Sequence, residues 1–474
     1  MSRIVSATSW TTLATVINLV LTMVQLAILV RILAPEVFGQ FAVVNMVIEV
    51  FVAFALGGIS NFLIYKRDAD QATSNAVYYL ALAIGAVFSL VLFFLAPVIA
   101  SALGYEAIIQ ELRLATLLLV VSSLSSQYQA VGMKYFKHQR IAQIDIFAKI
   151  ISFGFAISFP ELELLCLVGA VVIYQLLKLI GFMVFLGNYV NLSLSINSSI
   201  YKEAFNYGIF DFGSQALNII RKQLDVMILA ITLPSSEMGI YHVIKQLASR
   251  PAQALQPIIG KVALPAFAEV KEDKNKLQAV YKDLYSLQLF VLAFIYVPIM
   301  IASELVTNLF LGVEYVEYSL VLTILASFWF VRVGCSNLVG PLVQSTGFTK
   351  RNFMWNIYVL IPNALVIYVS SLYGVEMLVL SMAVFQLLLF PIINYIFIFF
   401  ITGVNFAYSF KSMFVLVVCF GVPLFTFYNL ILPLIPDMMF LKESLIGLLT
   451  LIIAYVLYCQ LSEVKKTINR IKGF

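Results

Sequence analysis

Apolar stretches of about 20 residues follow one another along nearly the whole chain, and each is long enough to cross the ~30 Å hydrocarbon core of a membrane. The mean hydropathy is +1.00, and only 11% of the 474 residues are charged. Unbroken apolar runs argue against an outer-membrane barrel, whose strands are alternating segments of ~10 residues. The sequence therefore predicts an all-α, polytopic membrane protein with about 14 transmembrane helices. The predicted spans are 8–33, 41–60, 75–100, 108–132, 142–160, 163–187, 206–232, 239–259, 279–304, 317–340, 352–371, 376–402, 411–432 and 441–461.

The short loops between these spans differ in charge, and the positive ones alternate with nearly neutral ones. The positive set comprises Lys66, Arg67, Lys134, Lys137, Arg140, Lys202, Lys261, Lys271, Lys274, Lys276, Lys350, Arg351, Lys411, Lys465, Lys466, Arg470 and Lys472. The other set holds little beyond Arg31 and Lys442. By the positive-inside rule, the first set and both termini lie in the cytoplasm. The net charge of +5 is then a signal of membrane topology, and no nucleic-acid partner is expected.

The sequence also contains a faint internal repeat. Residues 27–41 and 227–241 both run from an apolar end through Leu and Pro to Glu, a hydrophobic residue, Gly and an aromatic residue. A similar offset relates Pro97 to Pro298, and each is followed by a Gly and a Tyr. We therefore predict two six-helix lobes, 1–195 and 196–405, followed by two extra transmembrane helices and a cytoplasmic tail in 406–474. The alternative is that the two pairs of motifs match by chance, because Pro and Gly are common at helix ends.

Several charged residues lie inside the apolar spans, where each costs at least ~2.5–3.5 kcal/mol if it faces lipid. The cationic ones are Lys178, Arg221, Lys222, Lys245 and Arg250. The acidic ones are Glu49, Asp145, Asp211 and Asp225. One interpretation is a water-filled, positively charged cavity for an anionic substrate, with the carboxylates coupling transport to an ion. The other is that the charges pair among themselves, as Asp145 with Lys149 and Lys222 with Asp225 could on one helix.

Motifs for catalysis or nucleotide hydrolysis are absent from the sequence. It contains no GxxxxGK[ST] phosphate loop and no HExxH or GxSxG motif, and the outer loops are too short to house an active site. We therefore expect a transporter and not an enzyme, with no metal and no cofactor.

Residues 29–39, Leu-Val-Arg-Ile-Leu-Ala-Pro-Glu-Val-Phe-Gly, resemble the L-A-R-x-L-x-P-x-x-F-G signature of bacterial polysaccharide transporters. These are the Wzx-type flippases of lipid-linked oligosaccharides in the multidrug/oligosaccharidyl-lipid/polysaccharide (MOP) superfamily. Residues 57–64 resemble that family's turn after helix 2, and residues 225–265 resemble its helix 7–8 block. The latter contains Asp225, Gly239-x-Tyr241, Leu247-Ala248-x-x-Pro251 and Leu264-Pro265.

The resemblance implies two MATE-like six-helix lobes around a cationic cavity that opens to each side in turn. It also implies a substrate of undecaprenyl diphosphate bearing an oligosaccharide, with membrane lipids, a glycan polymerase and a chain-length regulator as further partners. Two other MOP activities are alternatives: a peptidoglycan lipid-precursor flippase and a drug/cation antiporter. An alternative from another class is a membrane-embedded glycan polymerase or ligase, which typically carries a large outer loop that this chain lacks.

Overall fold

The computed structural model of the chain describes residues 2–56, 71–189, 217 and 219–431. The last predicted span, 441–461, lies outside these residues, as do parts of the spans predicted at 41–60 and 206–232.

The first part of the chain folds into successive helices because its apolar runs carry few breakers. These helices are α1 (Ser2–Leu29), α2 (Pro35–Leu56), α3 (Gln71–Leu103), α4 (Ile109–Ala115), α5 (Leu117–Lys134), α6 (His138–Ser158), α7 (Leu164–Leu186) and α8 (219–232). Helix α2 begins at Pro35, with Glu36 in its first turn. Both residues suit a helix start, since proline needs no amide partner there and a carboxylate complements the helix dipole.

Helices also make up the rest of the described chain. They are α9 (Ser235–Val270), α10 (Lys274–Ile301), α11 (Ser303–Phe310), α12 (Ser319–Ser336), α13 (Val339–Thr346), α14 (Thr349–Ser371), α15 (Val375–Ile393), α16 (Phe400–Thr402) and α17 (Phe406–Thr426). Helix α9 continues through Pro251, Pro257 and Pro265. The Asp273 carboxylate caps α10 by accepting hydrogen bonds from the backbone amides of Asn275 and Lys276.

Within the described residues, eleven helical segments are long and apolar enough to cross a membrane. They coincide with eleven of the predicted spans, from Trp10–Leu29 to Phe406–Asn429. The span predicted at 239–259 lies within α9, and the described part of 206–232 is helical. The predicted all-α, polytopic class is therefore confirmed.

The chain forms two compact units, Met1–Val243 and Ile244–Phe474. Inside the first unit α3 packs on α5, α5 on α7, and α6 on α7. Inside the second unit α10 packs on α12, α12 on α15, and α14 on α15. These are the same pairings if α3, α5, α6 and α7 correspond to α10, α12, α14 and α15. The internal repeat and the lobe boundaries at 195 and 405 stay predictions.

The second matched motif places a glycine with a positive φ after a helix in both units. Gly104 follows α3 with φ +76°, and Gly312 follows α11 with φ +102°. Both values lie in the region that favours glycine, because a Cβ would be strained there. The tyrosine that follows each glycine, Tyr105 or Tyr315, is buried. Both helix ends are thus followed by a glycine with a positive φ and then by a buried tyrosine.

Candidate functional site: polar clusters inside the membrane spans

A polar cluster joins α1, α6 and α7 around the Asp145 carboxylate. Lys178 Nζ lies 2.9 Å from Asp145 Oδ1, and the Tyr174 hydroxyl donates to the same oxygen at 2.6 Å. Asn18 Nδ2 donates to the other oxygen, Oδ2. The side chains of Lys178 and Asp145 are 15% and 20% exposed. The negative charge is therefore matched by a lysine from a neighbouring helix.

The Lys178 ammonium is further surrounded by aromatic faces. It lies 5.0 Å from the centre of the Tyr174 ring and 5.9 Å from that of Phe182. Both distances allow a cation–π attraction, which grows as water is excluded. One turn along α6 from Asp145, Lys149 Nζ donates to Gln25 Oε1 of α1 at 2.8 Å. The polar residues of α1 thus serve as partners for charges on α6.

A second cluster joins α2 to α8 around the Glu49 carboxylate. Lys222 Nζ lies 3.0 Å from Glu49 Oε2, and Gln223 Nε2 donates to the same oxygen at 2.6 Å. Asn45 Nδ2 donates to Glu49 Oε1 at 3.2 Å. The Lys222 side chain is 56% exposed and that of Glu49 is 33% exposed. This ion pair is therefore open on one side, unlike the pair between Lys178 and Asp145.

Asp225 lies one turn beyond Lys222 on α8, but its surroundings are different. It is 5% exposed, and the hydroxyl of Tyr241, from α9, donates to its Oδ2 atom at 2.5 Å. Next to Tyr241, the buried His242 packs edge-on against Phe41 of α2, with ring centres 6.2 Å apart. The start of α9 is thus tied to both α8 and α2.

In the second unit, Arg250 projects from α9 and is half-buried. Its Nε atom donates to Gln246 Oε1 at 3.0 Å, and its Nη2 atom donates to the same oxygen. The guanidinium is therefore oriented by an amide one turn earlier on its own helix.

The structure brings together four of the nine predicted site residues as two ion pairs, Lys178 with Asp145 and Lys222 with Glu49. Each pair links two helices, so sequence spacing along a single helix could not identify it. Arg221 and Lys245 are half-buried, on α8 and α9 respectively. Asp211 lies outside the described residues. The roles of all nine in substrate binding or ion coupling stay predictions.

Several residues that contact these charges are absent from the predicted set, among them Tyr174, Gln223 and Tyr241. Tyr174 could have been found, because it precedes Lys178 by four residues on α7 and so shares its face. Gln223 directly follows Lys222, but neighbouring positions on a helix point in different directions, so its contact with Glu49 carries no signal in the sequence. Tyr241 lies 16 residues from Asp225, and only the fold brings the two together.

A separate groove of about 590 Å³ lies in the second unit, where the ends of several helices meet. It is lined by Lys271, Lys274, Gln344, Phe348 and Phe400, among others. None of the predicted site residues lines it.

The described residues form a multi-pass, all-α membrane protein whose fold is similar to that of two solved transporters. A structure of the lipid II flippase MurJ in an inward closed conformation matches with a TM-score of 0.74, covering 96% of this chain and 99% of that one at 12% identity. An inward-facing MATE family multidrug transporter of the MOP superfamily matches with a TM-score of 0.59 at 17% identity, covering 85% of this chain and 98% of that one.

The chain belongs to the polysaccharide biosynthesis protein family, whose sequence model matches residues 28–320. The amylovoran biosynthesis protein AmsL of Erwinia amylovora is 24% identical over 70% of this chain and 86% of its own length. The lipopolysaccharide biosynthesis protein WzxC of Escherichia coli K12 is 24% identical over 75% of this chain and 73% of its own. The family predicted from the motifs at residues 29–39 and 225–265 is therefore confirmed.

Proposed function

We propose that this protein is a flippase for lipid-linked oligosaccharides. It carries undecaprenyl-diphosphate-linked repeat units from the inner to the outer leaflet of the bacterial cytoplasmic membrane, for O-antigen, capsule or exopolysaccharide synthesis. The observation that carries the proposal is the group of lysines and arginines inside the spans of a chain with this fold and family. A passive scaffold would gain nothing from charges that are costly at this depth.

The chemistry of these cations suits a diphosphate. An arginine can hold a phosphate with two parallel hydrogen bonds, while a lysine acts as a compact point charge with rotatable donors. Arg250, in the second unit, is a donor of the first kind, and Lys222, in the first unit, is a donor of the second kind. In this proposal the prenyl tail stays in lipid, and the cavity opens to the two sides in turn. The match to MOP transporter folds supports alternating access.

The carboxylates Glu49, Asp145, Asp211 and Asp225 are proposed to couple transport to an ion gradient. The three that the structure describes each accept at least one hydrogen bond from another helix. Protonation of such a carboxylate, or exchange of its partner for a cation, would weaken a contact between helices. That gives an ion a direct way to change which conformation is favoured.

The orientation and the partners complete the proposal. Both termini lie in the cytoplasm, and the substrate arrives from enzymes that assemble it on that side. A glycan polymerase and a chain-length regulator would use the product on the outer side. The protein itself performs no bond chemistry in this scheme.

Two complementation assays test the function. The chain is expressed in a host that lacks its own polysaccharide flippase, and separately in a host depleted of its lipid II flippase. We expect surface polysaccharide to return in the first host and growth to fail in the second. Rescue of growth without polysaccharide would identify a peptidoglycan-precursor flippase instead. If neither surface polysaccharide nor growth returns, and the protein is present in the membrane at normal abundance, flipping of either lipid is contradicted.

A further inference from the structure

Three hydrogen-bond donors converge on the Glu49 carboxylate from two helices. Lys222 Nζ and Gln223 Nε2 of α8 both contact Oε2, at 3.0 and 2.6 Å. Asn45 Nδ2 of α2 contacts Oε1 at 3.2 Å. An ammonium and two amides around two oxyanion atoms resemble the donor set that a phosphate needs, because each donor can form a charge-assisted hydrogen bond.

The cluster is also accessible. The Lys222 side chain keeps 56% of its surface exposed although it already contacts Glu49. Exposure to lipid would be costly for an ammonium at this depth, so the open side faces water. A partly exposed ion pair contributes little to stability. The pair can therefore exchange its anion without a large penalty.

We propose that Glu49 is an internal substitute for the substrate's diphosphate. Asn45, Lys222 and Gln223 form the receiving donor set, and the Glu49 carboxylate occupies it while the transporter is empty. A diphosphate carries more negative charge than one carboxylate and offers more acceptor oxygens, so it displaces Glu49 from Lys222. This inference rests on the proposed function. It adds a trigger for the conformational change, because the displacement of Glu49 removes the ion pair that links α8 to α2.

Inorganic pyrophosphate is the first probe, since it reports on the donor set without a lipid. Its affinity for the purified full-length protein in nanodiscs is measured by calorimetry. Glu49→Gln keeps the side-chain volume and removes the competing charge. We therefore expect pyrophosphate to bind at least about tenfold more tightly, which is the lower end of the range for one charge-assisted bond. The Lys222→Met variant should not bind pyrophosphate. Adding Glu49→Gln to that variant should not restore binding. Glu36→Gln is the matched control, because Glu36 is an exposed carboxylate in the first turn of the same helix.

Undecaprenyl diphosphate without sugar is the second probe, with undecaprenol as the uncharged comparison. If Glu49→Gln tightens pyrophosphate binding but no variant binds the lipid, the inference stands and the proposed substrate class fails. If the parent protein and the Glu49→Gln variant bind pyrophosphate with the same affinity, the inference is overturned, whatever the lipid does. Should Glu49→Gln not fold, Gln223→Leu removes one donor and keeps the ion pair. It should weaken pyrophosphate binding several-fold, and unchanged binding would equally overturn the inference.

Discussion

Gly39 and Gly239 lie 200 residues apart in the sequence and against each other in the first unit of the fold. A Cβ on Gly39 would lie 3.1 Å from the Gly239 amide nitrogen and closer still to the Ser235 carbonyl oxygen. A Cβ on Gly239 would lie 3.0 Å from the Gly39 nitrogen and closer still to the Pro35 carbonyl oxygen. The contact is thus reciprocal, because each new Cβ would meet the backbone of the other glycine's helix.

Alanine at Gly39 or Gly239 should therefore be destabilising. The clash is with backbone, which cannot move aside as a flexible side chain can, so we expect a cost of about 1–3 kcal/mol, typical of overpacking. Thermal unfolding of each variant in detergent measures it. Gly260→Ala is the matched control on α9, where the new Cβ would meet nothing within 4 Å beyond the helix's own nearby backbone. Equal melting temperatures for Gly239→Ala and Gly260→Ala would contradict the close contact.

Removing Lys178 alone should destabilise the first unit more than removing Lys178 together with its partner Asp145. Lys178→Met leaves the Asp145 carboxylate without its matching charge at low exposure, which costs about 3 kcal/mol, near the lower end for buried pairs. The double variant Lys178→Met with Asp145→Asn removes both charges and should recover most of that loss. Melting temperatures of the two variants decide the point. A double variant no more stable than the single one would show that the pair does not act as a unit.

The ion pairs of Lys178 and Lys222 show which features the sequence alone predicts and which it does not. The helices were predictable because each apolar run is long enough to span a membrane by itself, a property local to about 20 residues. The pairings of Lys178 and Lys222 were not, because in each case the partner lies on a different helix. Spacing along one helix predicts which residues share a face, but only packing decides what that face meets.

The pH dependence of stability should contain a contribution from Asp273. Hydrogen bonds from the backbone amides of Lys276 and Asn275, with the nearby Lys276 ammonium, lower the pKa of Asp273 below its usual 3.8. Because the pKa of Asp273 is lower in the folded state, its carboxylate stabilises the fold at pH values above the pKa of the unfolded state. This stabilisation is lost as the pH falls through the pKa of the folded state. The melting temperature of the parent should therefore exceed that of Asp273→Asn near neutral pH and approach it as the pH falls below the usual pKa. A gap that widens in acid would contradict the sign.

The topology predicts where two reporters will be active. Phe474 belongs to the positively charged tail, and Glu314 lies in a connection between two spans, on the side with few cations. Fusions that report cytoplasmic exposure should be active after Phe474, and those that report the exterior should be active after Glu314. The same side for both would mean that the predicted count of 14 spans is wrong.

The last prediction concerns Arg250, whose guanidinium is held by Gln246 on α9. We expect Arg250→Ala to abolish or sharply reduce glycan export while the protein inserts at normal levels, because a diphosphate loses its two-pronged donor. Arg250→Lys should keep part of the activity, since the charge survives but the geometry does not. Gln246→Leu should have a milder effect, because it removes an orienting contact and keeps the guanidinium itself. Export is measured as surface polysaccharide in a flippase-deleted host, with membrane abundance in parallel. Full export by Arg250→Ala would remove this residue from the site, and loss of the protein from the membrane would make its role structural.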